Sequence, residues 1–360
     1  MKPFLIQAYG TPGSATNATN TLAPMQIERQ PPAADQVLIE VLYCGVCHSD
    51  LHQVRNDWQN TIYPCVPGHE VVGRVIETGA DVTQVAAGDL VGVGCMIDSC
   101  GHCASCREGD EQYCEGPVGW TGTYNGYLMP DGSGFNTYGG YSTHLVVRDA
   151  FVVPIPAGLS PQEAAPILCA GVTVWSPLKH WQIGTGHHIA VVGLGGLGHM
   201  AVQLARARGA RVTVLTTSAD KEADALGLGA DAVVLSTDRA AMRLHTRAFD
   251  FILTTIPDPF NVAPYLNLLK RNGVLITVGL LVDYERALSN QKLAFHRRSV
   301  AGSLIGSIAE TREVLQFCAD HGIRPEIEVI PMQQINGAFD TLKAGDVRFR
   351  YVIDMQSLKA

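Results

Sequence analysis

The chain has 360 residues, 46% of them hydrophobic and 17% charged, which is typical of a soluble globular protein with roughly two domains. Its 26 basic and 34 acidic residues give a net charge of -8 without any basic run, which argues against nucleic acid or an anionic membrane as the main partner. No segment resembles a signal peptide or is long and apolar enough to span a bilayer. We therefore predict a cytoplasmic protein whose 10 cysteines bind metal rather than form disulfides.

The first part of the chain, residues 1–157, has dense glycines and prolines with short apolar segments between them. This pattern predicts a β-rich domain, with its clearest strands at 37–43 and 71–79. Residues 121–140 are too rich in glycine and polar side chains for a regular element. We therefore predict a loop there.

Residues 44–70 contain several side chains that can bind a metal. Cys47 and His69 lie in this stretch, and a third soft ligand, Cys169, follows far downstream. Two thiolates and one imidazole suit zinc in an open tetrahedral site, with the fourth position free for water or substrate. Taken singly, each of the three is better explained as a buried core side chain. The prediction of a catalytic zinc therefore depends on the rest of the chain.

A second group of thiols follows at short, regular intervals: Cys100, Cys103, Cys106 and Cys114. Four thiolates with no open position predict a closed structural zinc site. Two disulfides are an alternative, which a reducing compartment disfavours. A nucleic-acid-binding zinc ribbon is another, but the neighbouring residues are mostly acidic and do not suit phosphate.

From about residue 161 helical patterns alternate with buried strands. Near-continuous apolar runs, typical of a parallel sheet covered on both faces, occur at 189–193, 211–217, 232–236, 249–256 and 274–280. The segment 299–307 is predicted to close the sheet, and the tail to rejoin the first domain. The predicted fold class is α/β, with a doubly wound (Rossmann) dinucleotide-binding domain at 158–307. The β-rich domain is then discontinuous, at 1–157 and 308–360.

A glycine-rich turn joins the first of these strands to the helix that follows it. Its residues are Gly193, Leu194, Gly195, Gly196, Leu197 and Gly198. Glycines permit a tight turn and close backbone approach, and the N-terminus of the helix then faces a pyrophosphate. Such a turn is weak evidence by itself. Here the strand, turn, helix and next strand follow in order, so the segment predicts dinucleotide binding.

The end of the second strand predicts which dinucleotide is bound. A chain that prefers NAD usually has an acid there for the ribose 2′-hydroxyl. This chain instead has hydroxyls and a cation, which accept a 2′-phosphate and predict NADP(H): Thr216, Thr217, Ser218 and Lys221. The nearest acid, Asp220, is predicted to cap the next helix. The alternative for the segment is a simple Ser/Thr cap beside a solvated lysine.

The motifs CGVCHSDLH, PGHE, LCAGVT and GLGGLG, in this order around the four-cysteine lobe, resemble the zinc-containing medium-chain alcohol dehydrogenases. TTSADK, GSLIGSIAET and GDVRFRYVID resemble the cinnamyl-alcohol-dehydrogenase branch, including bacterial NADP-dependent aldehyde reductases. The similarity covers nearly the whole chain and implies that the β-rich domain is GroES-like. The segment 121–140 departs from the plant enzymes of this branch.

The resemblance implies a catalytic zinc on Cys47, His69 and Cys169, with Glu70 near the metal. Asp50 would orient the zinc-binding imidazole, as such ligands usually require. Ser49 and His52 would form a proton relay, and the alternative for Ser49 is a helix cap. Further cofactor contacts are predicted at Thr173, Thr255, Val278, Gly279, Ser303 and Arg350.

These residues together predict reversible hydride transfer between NADP(H) and an aldehyde or primary alcohol, with aldehyde reduction as the main direction. We expect two zinc ions per chain and a homodimer. The predicted substrate pocket comprises Trp58, Cys95, Trp120, Leu280 and Ile305. Three alternatives remain: an NAD-linked zinc alcohol or polyol dehydrogenase, a zinc-free quinone reductase of the same fold, and a non-catalytic protein that binds zinc and nucleotide.

Overall fold

The computed structural model describes residues 2–14, 16, 17, 19, 21–128, 134–345 and 347–359. The chain divides into two compact units, Met1–Cys169 with Gly306–Ala360, and Ala170–Ile305. The boundaries of the first unit therefore differ from the predicted ones, since this unit also includes residues 158–169 and 306–307, which the sequence assigned to the dinucleotide-binding domain. Residues 158–169 join the first unit because the helix at Pro161–Pro166 packs on its sheet.

The first unit begins with an antiparallel strand pair, β1 (Phe4–Gly10) and β2 (Ala23–Arg29). The elements that follow are β3 (Gln36–Gly45), α1 (His48–Val54), β4 (Val71–Thr78), β5 (Leu90–Val93), β6 (Met96–Asp98), α2 (Ala104–Glu108), β7 (Thr121–Gly122), β8 (Tyr127–Leu128), β9 (Gly134–Phe135), β10 (His144–Arg148), β11 (Val153–Pro154) and α3 (Pro161–Pro166). In the predicted loop at 121–140, the described residues form only the two-residue strands β7, β8 and β9. Residues 129–133 of that prediction lie outside the described part.

The second unit alternates helices and strands, as predicted. Its elements are α4 (Val172–His180), β12 (His188–Val192), α5 (Gly196–Ala207), β13 (Arg211–Thr216), α6 (Glu222–Gly227), β14 (Ala232–Leu235), α7 (Arg239–Leu244), β15 (Phe249–Thr254), α8 (Ala263–Leu266), β16 (Leu269–Thr277), α9 (Asn290–Ala294) and β17 (Ser299–Gly302). The six strands form one sheet in the order β14, β13, β12, β15, β16, β17, and every neighbouring pair is parallel. The predicted doubly wound sheet is confirmed, with β17 at its edge.

Burial along β12 explains its apolar sequence. Ile189, Ala190 and Val191 are fully buried. A strand in the middle of a parallel sheet is covered on both faces, so its residues cannot alternate between apolar and polar. The strand order reverses on the two sides of β12, and ligands of such sheets bind beyond the carboxyl ends of the strands at this point.

The chain then returns to the first unit through α10 (Ile308–His321), β18 (Ile327–Pro331), α11 (Ile335–Ala344) and β19 (Arg350–Asp354). β19 pairs antiparallel with β3, with Val352 opposite Gly45, and parallel with β18. The sheet has the order β11, β5, β4, β3, β19, β18, and β10 also pairs with β3. The predicted return of the tail is confirmed. Within the described residues, no helix combines the length and apolar composition that crossing a membrane requires.

Candidate active site and dinucleotide-binding turn

Four potential metal ligands converge in the first unit. Cys47, His69, Glu70 and Cys169 each offer one ligand atom, and these atoms lie within 4.8 Å of one another. All four side chains are buried, and none is more than 7% exposed. The predicted zinc ligands Cys47, His69 and Cys169, which together span more than a hundred residues of sequence, are therefore brought together.

Local structure positions these ligands. Cys47 is the N-cap residue of α1 and has an extended backbone. His69 and Glu70 come directly before β4. Cys169 lies in a π-helical turn, Ile167–Gly171, that follows α3. Such turns are rare and occur frequently at functional sites.

Asp50 holds the ring of His69 in one orientation. Its carboxylate is fully buried, and Oδ1 accepts a hydrogen bond from Nδ1 of His69 at 3.0 Å. Oδ2 accepts one from the backbone N–H of Cys47 at 2.9 Å and one from the hydroxyl of Tyr141 at 3.4 Å. Because Nδ1 is engaged, Nε2 is the ring atom available to a metal, the arrangement that metal-binding histidines usually have.

The electrostatics of the cluster suit a divalent cation. The hydrogen bond with Cys169, and then the charge of Arg350, hold the pKa of Cys47 well below its usual range. The same hydrogen bond and one with Cys95 raise the pKa of Cys169. Burial disfavours the charged form of His69, but Asp50 outweighs it and raises the pKa of the imidazole. Cys47 and Cys169 would hold a zinc ion as thiolates, without their thiol protons.

Glu70 and Arg350 form a buried ion pair beside the thiols. Nη2 of Arg350 lies 3.1 Å from Oε1 of Glu70, and the two side chains are 3% and 0% exposed. Burial raises the pKa of Glu70 to about 8, although Arg350 opposes the shift. Within the described residues, neither carboxylate oxygen of Glu70 accepts a hydrogen bond of acceptable geometry. A metal cation beside the carboxylate would account for these two unsatisfied oxygens. Gly45 makes room for this carboxylate, since a Cβ there would overlap Oε2.

Ser49 lies beside the metal cluster. Its Oγ is 3.7 Å from Sγ of Cys47. The alternative role of Ser49 as the cap of α1 is wrong, because Cys47 is the N-cap residue of this helix. The side chain of Asp50 accepts the backbone N–H of Cys47. The hydroxyl is therefore not needed to begin the helix.

His52, the other predicted relay residue, has a partner that sequence reasoning missed. Its Nδ1 lies 2.9 Å from Oδ2 of Asp57, and its ring centroid is 5.6 Å from that of Trp58. Asp57 lies beyond the end of α1, so no helical spacing marked it. Trp58, predicted to line the substrate pocket, packs on the imidazole of His52.

Two further pocket predictions fall in the first unit. Cys95 lies close enough to Cys169 for a thiol hydrogen bond, which lowers the pKa of Cys95. Trp120 is partly buried immediately before β7. Their contact with a substrate stays a prediction.

Tyr124 is a site residue that sequence reasoning missed. Its ring is 5.4 Å from that of His69, at an interplanar angle of 70°. Burial, followed by the charge of Asp50, raises the pKa of the Tyr124 phenol and keeps it neutral. The residue lies in the irregular segment 121–140, where no periodic pattern marks buried positions.

The four-cysteine lobe forms a separate ligand set. The Sγ atoms of Cys100, Cys103, Cys106 and Cys114 all lie within 4.8 Å of one another, and those of Cys100 and Cys106 are 3.9 Å apart. Zinc with four bonds of about 2.3 Å to sulfur separates these atoms by about 3.8 Å, whereas a disulfide holds them at about 2.05 Å. All four cysteines are free, so the disulfide alternative is wrong.

Backbone N–H groups donate hydrogen bonds to the sulfurs of Cys103 and Cys114 in this lobe. Sγ of Cys103 accepts hydrogen bonds from the N–H groups of Cys106 and Glu115, both at 3.4 Å. These bonds lower the pKa of Cys103 to about 6. Sγ of Cys114 accepts one from Gly116, also at 3.4 Å. The lobe fits a structural zinc with no open position.

The glycine-rich turn of the second unit has the geometry of a dinucleotide cradle. Gly193 has a φ of 93°, which favours glycine. A Cβ on Gly198 would overlap the carbonyl oxygen of Gly193, so the helix packs closely on the turn. Gly195 is the N-cap of α5, and nothing lies within 4 Å of its Cβ position. That open space before a helix N-terminus suits a pyrophosphate.

The hydroxyl and lysine residues predicted to select NADP(H) lie at the end of β13. Oγ1 of Thr216 accepts the backbone N–H of Ser218 at 3.2 Å. Nζ of Lys221 donates to the carbonyl oxygen of Leu194 at 3.5 Å, which places the cation beside the glycine-rich turn. Asp220 is exposed in a 3₁₀ turn and makes no capping hydrogen bond, so its predicted capping role is wrong.

Other predicted cofactor and pocket residues occupy varied positions. Oγ1 of Thr255 donates to the carbonyl oxygen of Val192 at 2.9 Å, next to the glycine-rich turn. Leu280 is 7% exposed and belongs to the hydrophobic core of the second unit. The remainder lie in the same unit, where all but the exposed Thr217 are buried or partly buried, and their contacts stay predictions: Thr173, Thr217, Val278, Gly279, Ser303 and Ile305.

Two family descriptions match the chain, Alcohol dehydrogenase GroES-like domain over residues 33–157 and Zinc-binding dehydrogenase over residues 196–320. The chain is 49% identical to aldehyde reductase YahK of Escherichia coli, over 96% of this chain and 97% of that protein. It is 46% identical to NADP-dependent alcohol dehydrogenase C 1 of Mycolicibacterium smegmatis, over 96% and 98%. Its fold matches a cinnamyl alcohol dehydrogenase of Sorghum bicolor (SbCAD4) with a TM-score of 0.92 and 41% identity, over 98% of each chain.

Proposed function

Since this chain belongs to the zinc-containing medium-chain alcohol dehydrogenase family, in its cinnamyl-alcohol-dehydrogenase-like branch, we propose that it transfers hydride reversibly between NADP(H) and an aldehyde or primary alcohol. The observation that carries the proposal is the buried cluster of Cys47, His69 and Cys169 with the Ser49 hydroxyl beside it. When bound, zinc supplies Lewis-acid polarisation of a carbonyl, and NADPH supplies hydride. A relative named as an aldehyde reductase supports aldehyde reduction as the main direction, and one named as an NADP-dependent alcohol dehydrogenase supports the cofactor.

The ligand residues prepare the site for this chemistry. Cys47, His69 and Cys169 would hold the zinc, and two thiolates balance the charge of a divalent ion. Asp50 keeps the proton of His69 on Nδ1 and its Nε2 lone pair free. Burial of the cluster excludes bulk water and strengthens each electrostatic interaction within it.

Proton transfer would start at Ser49. Its hydroxyl, beside the thiol of Cys47, can hydrogen-bond the substrate oxygen and donate a proton to it. His52 would be the residue that resupplies this proton to Ser49. If Nδ1–H of His52 donates to Asp57, Nε2 is the atom that exchanges protons with the relay.

A change of cofactor preference tests the NADP(H) part of the proposal. Thr216→Asp places a carboxylate at the end of β13, where it should repel a 2′-phosphate and bind the ribose diol of NAD. We expect kcat/KM with NADPH to fall and that with NADH to rise, measured by initial rates. Wild-type protein that prefers NADH would overturn the assignment and favour the NAD-linked alternative.

A panel of aromatic and aliphatic aldehydes and alcohols, run with both cofactors and accompanied by zinc analysis, tests the activity itself. Turnover of aldehydes by protein with two zinc ions per chain is the expected result. Two bound zincs without any turnover would favour a non-catalytic zinc and nucleotide-binding protein.

We further propose a cytoplasmic homodimer. Within the described residues, β17 pairs only with β16, so its other edge can pair with the same strand of a second copy. Large apolar side chains are exposed in the neighbouring segment: Leu281 at 57%, Val282 at 46%, Leu288 at 40% and Phe295 at 72%. Analytical ultracentrifugation should give twice the chain mass of 38.6 kDa. A monomer at micromolar concentration would contradict this proposal.

A further inference from the structure

The second unit contains a cleft at the amino-terminal edge of its sheet. Its volume is about 560 Å³. We name it the cationic cleft because basic side chains line it: His187, His188, Arg211, His245 and Lys270. The small residues Gly186, Gly209 and Ala248 complete the lining. In a parallel sheet all strands begin at one edge, and the glycine-rich turn follows the carboxyl end of β12. The cationic cleft therefore lies at the edge opposite the dinucleotide turn and plays no part in the proposed hydride transfer.

Strand order explains how the basic residues meet. His188 begins β12, Arg211 begins β13 and Lys270 is the second residue of β16, while His245 comes shortly before β15. The strands β13, β12, β15 and β16 are neighbours in this order. Since neighbouring strands are about 4.8 Å apart, the row spans roughly 15 Å. Residues that are far apart in sequence thus form one basic row.

The charges of the cleft are only partly compensated. Asp250 adjoins it and accepts hydrogen bonds from Nζ of Lys270 at 2.8 Å and from the backbone N–H of His188 at 2.9 Å. Arg211 is exposed, and its guanidinium has no ion pair or hydrogen bond with any residue in the described part of the chain. A chain with a net charge of -8 therefore carries a local positive surface here.

Imidazole rings that pack against phenylalanines lie beside these cations. The ring of His245 lies parallel to that of Phe249, at a centroid distance of 5.8 Å, and His187 packs edge-on against Phe251 at 5.2 Å. Nε2 of His188 is 2.9 Å from the hydroxyl of Thr213, so this histidine is already engaged. Nδ1 of His187 accepts the backbone N–H of Gly184 at 3.4 Å, which leaves its Nε2 and the ring of His245 to contact a ligand.

We propose that the cationic cleft binds a small polyphosphate or a phosphorylated metabolite with at least two negative charges, held between Arg211 and Lys270. A guanidinium binds phosphate oxygens in a bidentate way, and an ammonium adds a point charge. The span of the row favours an extended anion over a single phosphate. Because the dinucleotide turn also suits phosphate groups, the test must separate the two sites.

Tripolyphosphate titrated into the full-length protein by calorimetry, at fixed ionic strength, tests the proposal. We compare wild type with Arg211→Gln and with the double variant Arg211→Gln/Lys270→Gln. The matched control is Arg206→Gln, which removes one charge from the same unit at a residue that pairs with Asp231 and does not line the cleft. Lys221→Gln reports binding at the dinucleotide turn.

The double variant should bind tripolyphosphate about a hundredfold more weakly than wild type, roughly tenfold for each charge-assisted hydrogen bond that the substitutions remove, while Arg206→Gln binds normally. Arg211 is exposed and unpaired within the described residues, so its single variant decides the question if the double variant does not fold.

Equal weakening in Arg206→Gln would mean general charge attraction and overturn the proposal. Loss of binding only in Lys221→Gln would place the anion at the dinucleotide turn and also overturn it. Citrate bound as tightly as tripolyphosphate would refute the preference for phosphate.

Discussion

The two cysteine sites of the first unit are built in different ways. The four-cysteine lobe takes all its ligands from residues 100–114, and the sulfurs of Cys103 and Cys114 accept hydrogen bonds from backbone N–H groups of residues 106–116. The buried cluster takes Cys47, His69 and Cys169 from distant parts of the chain. Its charges are balanced by other side chains, Asp50 and Arg350.

This difference separates a closed site from an open one. A structural zinc with four thiolates needs only a short segment with the correct backbone turns. A catalytic site keeps one position for a substrate, so its protein ligands cannot fill the tetrahedron. Neighbouring side chains must then fix the ligand orientation and the charge. The comparison predicts that damage to the buried cluster stops the chemistry, whereas damage to the lobe removes a metal and stability.

The largest expected effect is on turnover. Ser49→Ala should lower kcat by about 10²–10⁴, the usual contribution of a positioned acid–base group. Ser49→Thr keeps the hydroxyl and should restore much of the rate. Both variants should retain two zincs, cofactor affinity and the wild-type melting temperature, because Ser49 is not the helix cap. An alanine variant with near-wild-type kcat would show that the hydroxyl beside Cys47 has no catalytic role.

The next prediction concerns the orientation of His69. Asp50→Asn removes the charge that holds Nδ1–H, and we expect the affinity of the buried cluster for zinc to fall about 10–100-fold. Competition with a chelator should release this zinc first and leave that of the lobe in place. Asp57→Asn is the matched control, because its partner His52 binds no metal. Equal zinc loss in both variants would contradict the prediction that Asp50 orients a zinc ligand while Asp57 orients only His52.

The smallest expected change is in zinc content. Cys106→Ser should lower it from about two to about one per chain, since a closed site needs its full set of thiolates. The melting temperature should fall, while the folded fraction keeps its kcat. Zinc content is measured by elemental analysis and kcat per folded chain by initial rates. Unchanged zinc content would mean that the lobe holds no metal, and the contrast between the two sites would fail.

Patterns that depend on local spacing were sufficient for much of the fold and for the ligands of the four-cysteine lobe, whereas the ligand set of Cys47, His69 and Cys169 was predicted from the resemblance to a family. The apolar runs identified the parallel strands because the middle of a strand buried on both faces is near-continuously apolar. The spacing of Cys100, Cys103, Cys106 and Cys114 identified the lobe because its ligands are close in sequence. The glycine-rich turn was recognisable because strand, turn and helix are consecutive.

Only the tertiary structure decided which distant charges meet. Pairing of β19 with β3 brings Arg350 to Glu70, and the irregular segment after β7 places Tyr124 against His69. Strand order in the second unit likewise gathers Arg211 and Lys270 at one sheet edge, although the sequence has no basic run. The physical reason is that sheet pairing and burial act between residues that are far apart in the chain. No local periodicity records which of them become neighbours.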